Sequence, residues 1–470
     1  MDLTPLLAVL ALLVAGFPLA FAILRSPFLA LLFAPLAAAL LSTVAVVLML
    51  VVGGPLLLWI ALVLAAGLVC AGWLLRRPGE PVPYGGWRHA LLIVLPLLPP
   101  CLMIFEPASR WDAHSIWWLH AGYFANGSEY ARTAIGSPAF VFSHTDYPPL
   151  ASAPVAAVWS VVEPDFRTAQ LVGALVTVSA VAMLVYLVRR TLARVSAWVA
   201  WVLAIAVGLA TWSNVLYAVT GGLADALWSA AFAAAAVALL LGADPLRRPL
   251  LPLLLLTVAA LSKNEGLIAV AGLAVLVTVR GRADLRRAAL VWLPVLAGGA
   301  WAVLVRVLDA KSDITNGTSA DQGAQGVQRF QVTIAAMWDV VGLVLVGAAV
   351  VALVGALFLR GRRRAAGLAS DGWVWALNGY YLVVLIGTYL TGPNEIEWWL
   401  ATSVQRVTLP VLLLATVSIA GWVAVALAGD GRAESPAARE PALLAAPRQR
   451  TGDWPDPRPP AVPTTTIRRS

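Results

Sequence analysis

Residues 28 to 50 read FLALLFAPLAAALLSTVAVVLML, 23 consecutive positions without a charge, and comparable runs recur along the chain. About 20 such residues, wound as a helix, cross a hydrocarbon core of roughly 30 Å while satisfying their own backbone hydrogen bonds. The repetition excludes a soluble globular domain, as does the 61% hydrophobic share of the 470 residues. Short alternating strand patterns are not seen, which argues against a membrane barrel. The fold class expected is therefore all-α, a polytopic transmembrane helical bundle. The opening MDLTPLLAVL lacks a basic n-region and a small-residue cleavage site, so it reads as a first span and not as a removed signal.

Spans are expected near 4 to 24, 28 to 50, 54 to 75, 89 to 105, 166 to 188, 195 to 212 and 216 to 242. Six more follow near 249 to 262, 265 to 279, 288 to 308, 332 to 359, 372 to 391 and 404 to 427, about thirteen in all. The pair around 249 to 279 is short enough to be a hairpin that does not cross fully. Arg25, then Arg76, Arg77 and Arg88, then Arg189, Arg190 and Arg194 fall in alternate connections. So do Arg247 and Arg248, the cluster Arg280, Arg282, Arg286 and Arg287, and the run from Arg360 to Arg364. By the positive-inside rule these loops are cytoplasmic, which places the N-terminus outside and the C-terminus inside a plasma (inner) membrane. The formal charge of +8 is thus dispersed as topology signals, and no nucleic-acid partner is implied. Cys70 and Cys101 lie in apolar runs and imply no disulfide. From 428 to 470 the chain turns rich in Pro, Ala and Arg without apolar periodicity, as expected of a disordered cytoplasmic tail.

The loop from 106 to 165 falls outside and gathers Glu106, Asp112, Glu129, Asp146, Glu163 and Asp165, with three of the four histidines: His114, His120 and His144. Its start, RWDAHSIWWLHAGYF (110 to 124), puts Asp112, Ile116, Leu119 and Tyr123 on one stripe of a regular helix, with His114, Trp117 and Trp118 on the other side. One reading is an amphipathic interfacial helix anchored by Trp, with Asp112, His114 and His120 simply solvated; the other is a site. Further on, HTDYPPL leads into an interfacial helix expected over 149 to 163, which the Pro pair suits at its first turn.

Two polar islands share that side. SKNEG (262 to 266) holds Lys263, one of only two lysines, and Glu265; it is either a solvated turn or a cation beside half-helix ends, suited to a lipid phosphate. NEIEWWLATSVQR (394 to 406) ends on Arg406, which either snorkels to the interface or reaches the same phosphate. His144 and Asp146 are competent ligands for a divalent metal ion, although HTD lacks a recognisable ligand spacing. The N-x-S/T matches at Asn126 and Asn316 also fall outside, and no function is assigned to them.

These segments, in order, resemble the C-type (GT-C) integral-membrane glycosyltransferases, which include protein O-mannosyltransferases and lipid A aminoarabinose transferases. RWDAHSIWWLHAGYF is similar to the family's acidic stretch after a span, with Asp112 on its aspartate; HTDYPPL, TGGLADALWSA, LSKNEGL and WLATSVQRVTLP resemble later segments. The resemblance covers roughly 89 to 427, leaving 1 to 88 as extra N-terminal spans. It implies transfer of a sugar from a polyprenyl-phosphate donor to a hydroxyl of a glycan, lipid or protein on the outer face. By that resemblance Asp112 would be the catalytic base and Asp225, Lys263 and Arg406 would bind substrate, the two cations at the lipid phosphate; from their chemistry and position, His144, Asp146, Tyr147 and Glu265 are further expected substrate contacts. Where many members carry Asp followed by Glu, this chain has Asp112 followed by Ala113. The alternative is a transporter or flippase of lipid-linked intermediates, which would place ionisable residues and broken helices near the midplane; Asp225 and Asp339 come nearest, both close to the outer end of a span. An O-antigen-ligase-like transferase would use a large later external loop, and the Gly- and Gln-rich segment from Asp309 to Phe330, without His, argues against it.

Overall fold

The computed structural model describes residues 3–77, 87–106, 110–193, 195, 197–213, 215–217, 222–242, 249–282, 284–311 and 326–428. The expected tail beyond 428, Asn316, most of the 309–330 loop and the side chains of Arg88, Arg194, Arg247, Arg248 and Arg287 lie outside them. No strand occurs among the described residues.

The chain opens with α1 (Thr4–Leu24), α2 (Pro27–Val52), α3 (Leu56–Arg76) and α4 (Leu91–Met103). Three short helices follow, α5 (Leu119–Ala125), α6 (Ser128–Gly136) and α7 (Ala153–Trp159). The bundle continues through α8 (Phe166–Leu192), α9 (Ala197–Ala210), α10 (Asp225–Leu241), α11 (Leu250–Ser262) and α12 (Asn264–Arg280). It closes with α13 (Ala289–Val307), α14 (Gly326–Phe358), α15 (Gly372–Thr391), α16 (Ile396–Val407) and α17 (Leu409–Leu427). Starts are written locally. Ser26 Oγ accepts from Leu29 N ahead of Pro27; Asp165 accepts from the amides of Arg167 and Thr168 to open α8; Glu395 does the same for α16 with Glu397 and Trp398. Pro96, Pro99 and Pro100 break α4, which passes through a 3₁₀ turn at Leu95–Leu97.

Among the described residues, eight helices, counting α16–α17 as one, are long and apolar enough to cross a membrane. α4, α9, α10 and α11 are apolar but shorter, and α12 has 17 residues. The multi-pass bundle is therefore as expected, whereas thirteen full crossings are not supported by helix length. α1, α2 and α3 are packed into the same compact unit, Met1–Ala428. Cys70 and Cys101 are free and exposed on the bundle surface, and not core residues.

Contacts between distant loops divide the bundle into two ends. At one end Arg25 donates to Leu74 O and Arg77 O, Arg280 to the carbonyls of Leu239, Leu240 and Gly242, and Ala369 N to Leu241 O. Arg363 pairs there with buried Asp371, 3.3 Å away. At the other end Arg132 donates to Leu50 O and Val51 O, Ser128 pairs with Gly54, and Arg329 wraps the carbonyls of Tyr389, Gly392 and Asn394. Every partner of each contact falls in the loop set that Arg spacing assigns to it. Arg25, Arg132, Arg280 and Arg329 each cover the open carbonyls at the C-terminus of a different helix, where positive charge meets the negative end of the helix dipole.

The 106–165 segment is folded against the second end. Residues Ala113–Trp118 form a π-helix and not the regular helix expected. The wider turn changes the stripe: Trp117 and Trp118, placed opposite Ile116 by a 3.6-residue period, are buried together with it. The helix expected over 149 to 163 is a 3₁₀ turn, Pro149–Ala151, and the two-turn α7, with Leu150, Ala153, Val155 and Ala156 all buried. It is packed on most faces, because small residues let α2 and α8 approach it closely.

Candidate functional site

Five of the proposed residues, from four chain segments, form one ion-pair network at the end of the bundle opposite the arginine-rich loops. Asp225 opens α10 and is 2% exposed, so it needs partners. Lys263 supplies one at 2.9 Å from its Oδ1, and Arg406 a second at 3.7 Å from its Oδ2. Lys263 also holds Glu265 at 3.0 Å, while Arg406 Nη1 hydrogen-bonds to Asp112 Oδ2. Each member sits where a helix starts or stops. Lys263 is the extended residue between α11 and α12, Arg406 lies just before the α16–α17 junction, and Asp112 leads into the π-helix.

The remaining three adjoin this network. Lys263 Nζ lies 5.7 Å from the centre of the Tyr147 ring, which stacks on His144 at 4.7 Å and on Trp117 at 5.6 Å. Burial pushes the Tyr147 phenol well above its ordinary pKa. His144 itself adopts a left-handed backbone, φ 52°, which turns the chain after Ser143 and brings its ring onto Tyr147. Asp146 accepts from Asn264 Nδ2 at 2.8 Å, and its carbonyl accepts from Trp301 Nε1 at 3.0 Å. The two polar islands and the loop thus meet, and neither Lys263 as a solvated turn nor Arg406 as a snorkelling side chain fits the geometry.

The solvated reading of the histidines also fails. His120 is fully buried with Nε2 donating to Ser143 O at 2.8 Å, and burial pushes its pKa down to about 3, so it is neutral. His114 packs edge-on against Trp118 and Phe166, at 4.6 and 4.5 Å between ring centres. For the divalent metal, no group of three or more His, Cys, Asp or Glu side chains placed to hold one occurs among the described residues. Asp339, considered for a transporter, is exposed.

Asn264 and Trp301, which fix Asp146, were missed by sequence reasoning, as was Arg110, whose guanidinium lies 4.3 Å from the ring centre of Tyr217. Asn264 lies inside the SKNEG island and carried a signal; Trp301 sits in a plain apolar span and carried none.

The order of exposure determines what a ligand meets. Asp112 is 27% exposed and Glu265 23%, against 14% for Arg406 and 7% for Lys263. Two of the three carboxylates, Asp112 and Glu265, are thus more exposed than the two cations, while Asp225 is the most buried member. Chemically, the arrangement offers a partly exposed carboxylate for proton uptake and two buried cations for an anion that reaches past it. No protein-family model, no curated protein and no solved structure matches the chain.

Proposed function

We propose that this protein is a membrane glycosyltransferase of the GT-C type, using a polyprenyl-phosphate-linked sugar and acting, by the arginine bias, on the outer face of a plasma membrane. The observation that supports it most is the network itself: Asp112 touches Arg406, which shares Asp225 with Lys263, at one end of the bundle. Transfer needs a base for the acceptor and positive charge for the departing phosphate, and both are side by side. The acceptor hydroxyl gives its proton to Asp112 as its oxygen bonds to the anomeric carbon. The bond from that carbon to the phosphate oxygen breaks, its electron pair leaves on the phosphate, and configuration inverts. Lys263 and Arg406 stabilise that charge. His144 offers a ring face, backed by the buried Tyr147 ring, and Asp146 and Glu265 offer acceptor oxygens, for the sugar. The acceptor is a hydroxyl of a glycan, lipid or protein.

One observation favours the second reading, a transporter or flippase of the same lipids. Its buried charges sit at interruptions between helices, at Lys263 and at the α16–α17 junction, as in many transporters. Detergent micelles, which have no sides, separate the two. Purified protein is given a polyprenyl-phosphate sugar and an envelope extract as acceptor. An enzyme consumes donor; Asp112→Asn still binds it but turns over about a hundredfold less or slower. No consumption in micelles, with lipid movement in reconstituted vesicles, would establish the transporter instead.

A further inference from the structure

We infer that Arg406 keeps the base engaged until a lipid phosphate arrives, so that donor binding must precede acceptor activation. The inference rests on the glycosyltransferase reading and adds a regulation of its site.

Arg406 is shared. Nη1 bonds to Asp112 Oδ2 and lies 3.7 Å from Asp225 Oδ2, while its Nε is buried and has no hydrogen-bond partner. The two carboxylates are not equivalent partners. Asp225 is 2% exposed and also tied to Lys263, so it is fixed in the bundle. Asp112 is 27% exposed and precedes a π-helix, so it is the partner that can be exchanged. A phosphate needs the guanidinium now bound to Asp112, and as an oxyanion of similar reach it can replace that carboxylate on Nη1 while Asp225 keeps Arg406 in place.

Charge leads the same way. Lys263 and Arg406 are each already paired with carboxylates, so a phosphate reaches either cation only where a carboxylate moves off it. Asp112 released from Arg406 loses the partner that holds its electron pair and becomes free to accept the acceptor proton. Without donor, the base and the cation quench each other. The pair is thus a lock whose key is the leaving group of the reaction.

Carbodiimide labelling of carboxylates with glycine methyl ester, read by peptide mass spectrometry, tests this on the full-length protein in micelles. The additions are polyprenyl phosphate, phosphatidylglycerol, inorganic phosphate or polyprenol, and retention of radiolabelled polyprenyl phosphate is measured in parallel. Exposed Glu129 and Glu397 serve as internal standards. Asp112 should be protected without ligand and labelled several-fold faster with polyprenyl phosphate, and unchanged with polyprenol. A rise with phosphatidylglycerol or inorganic phosphate as large as with polyprenyl phosphate would keep the lock but overturn its selectivity for the donor lipid. In Arg406→Gln, Asp112 should be labelled at the higher rate with or without lipid. If polyprenyl phosphate is retained but Asp112 labelling does not change, the lock is wrong and the glycosyltransferase reading stands. If polyprenyl phosphate is not retained at all, that reading falls and takes the lock with it.

Discussion

Replacing Lys263 with methionine should damage the protein more than replacing Asp225 with asparagine, and making both changes should cost less than the two costs added. At an effective dielectric of about 20, opposite unit charges about 3 Å apart attract by roughly 5–6 kcal/mol before desolvation is subtracted. Lys263 makes two such contacts, at 2.9 and 3.0 Å. Its removal leaves Asp225, 2% exposed, with Arg406 at 3.7 Å. Truncating one side of a buried pair costs about 3–5 kcal/mol, most of it the charge left behind. In Asp225→Asn, by contrast, Lys263 keeps Glu265 and Arg406 keeps Asp112, so the loss is nearer that of one charged hydrogen bond, about 1.5–3 kcal/mol. Asparagine needs no counter-ion. The double variant should therefore be about 2–3 kcal/mol more stable than additivity predicts. Thermal or SDS-induced unfolding in micelles, followed by the fluorescence of the 20 tryptophans, reads all four proteins. Strict additivity would show that Lys263 and Asp225 do not share their burial energy, and the network would lose its physical basis.

Acid should destabilise the protein through His120. Its folded pKa lies near 3 against an ordinary 6.5, so between those values the unfolded chain binds the proton and the native one does not. Stability contributed by His120 is complete above pH 6.5 and is lost as the pH falls toward 3; the midpoint drop between pH 7 and pH 4 should be smaller in His120→Gln, and equal drops would remove His120 as the cause. Lys263→Ala and Arg406→Ala should each lower turnover or donor affinity roughly ten- to several-hundredfold, as expected for a charge-assisted phosphate contact. Lys311→Ala should do little, because Lys311 is 44% exposed on a local pair with Asp309; the reverse ranking would leave the donor site unsupported. In a variant lacking Cys70 and Cys101, a cysteine at exposed Glu129 should react with an impermeant thiol reagent on intact cells and one at Arg364 should not. The opposite pattern would invert the topology and put the network in the cytosol.

Much of this was legible in the sequence because apolar runs and arginine spacing are local signals that report on each segment alone. Among the described residues the apolar segments are mainly helical, and the loop assignment agrees with contacts as remote as Arg329 with Tyr389. Helix length was less legible: the prolines of α4 break a segment whose hydropathy runs on unbroken, whereas the break at Lys263 was announced by its polar island. The site residues were visible as polar islands in apolar surroundings, where an unpaired charge is costly. Their pairing was not. Arg406 finds Asp112 across 294 residues, and no local pattern states which of the available carboxylates a cation will take. The π-helix at Ala113–Trp118 was hidden for the same reason, since a single wide turn depends on what packs around it.

The arginines that cover helix ends also place a clock in the protein's biosynthesis. α2 leaves the ribosome with its last carbonyls open, and Arg132, which binds Leu50 O, follows 82 residues later. At about 5–20 residues per second, that interval is roughly 4–16 s. Arg280 trails α10 in the same way, by 41 residues, whereas Arg25 and Arg329 are made before the helices they will cover. Half of these ends are thus made before the arginine that covers them, and a chain stalled between α2 and α6 would keep one helix end uncovered.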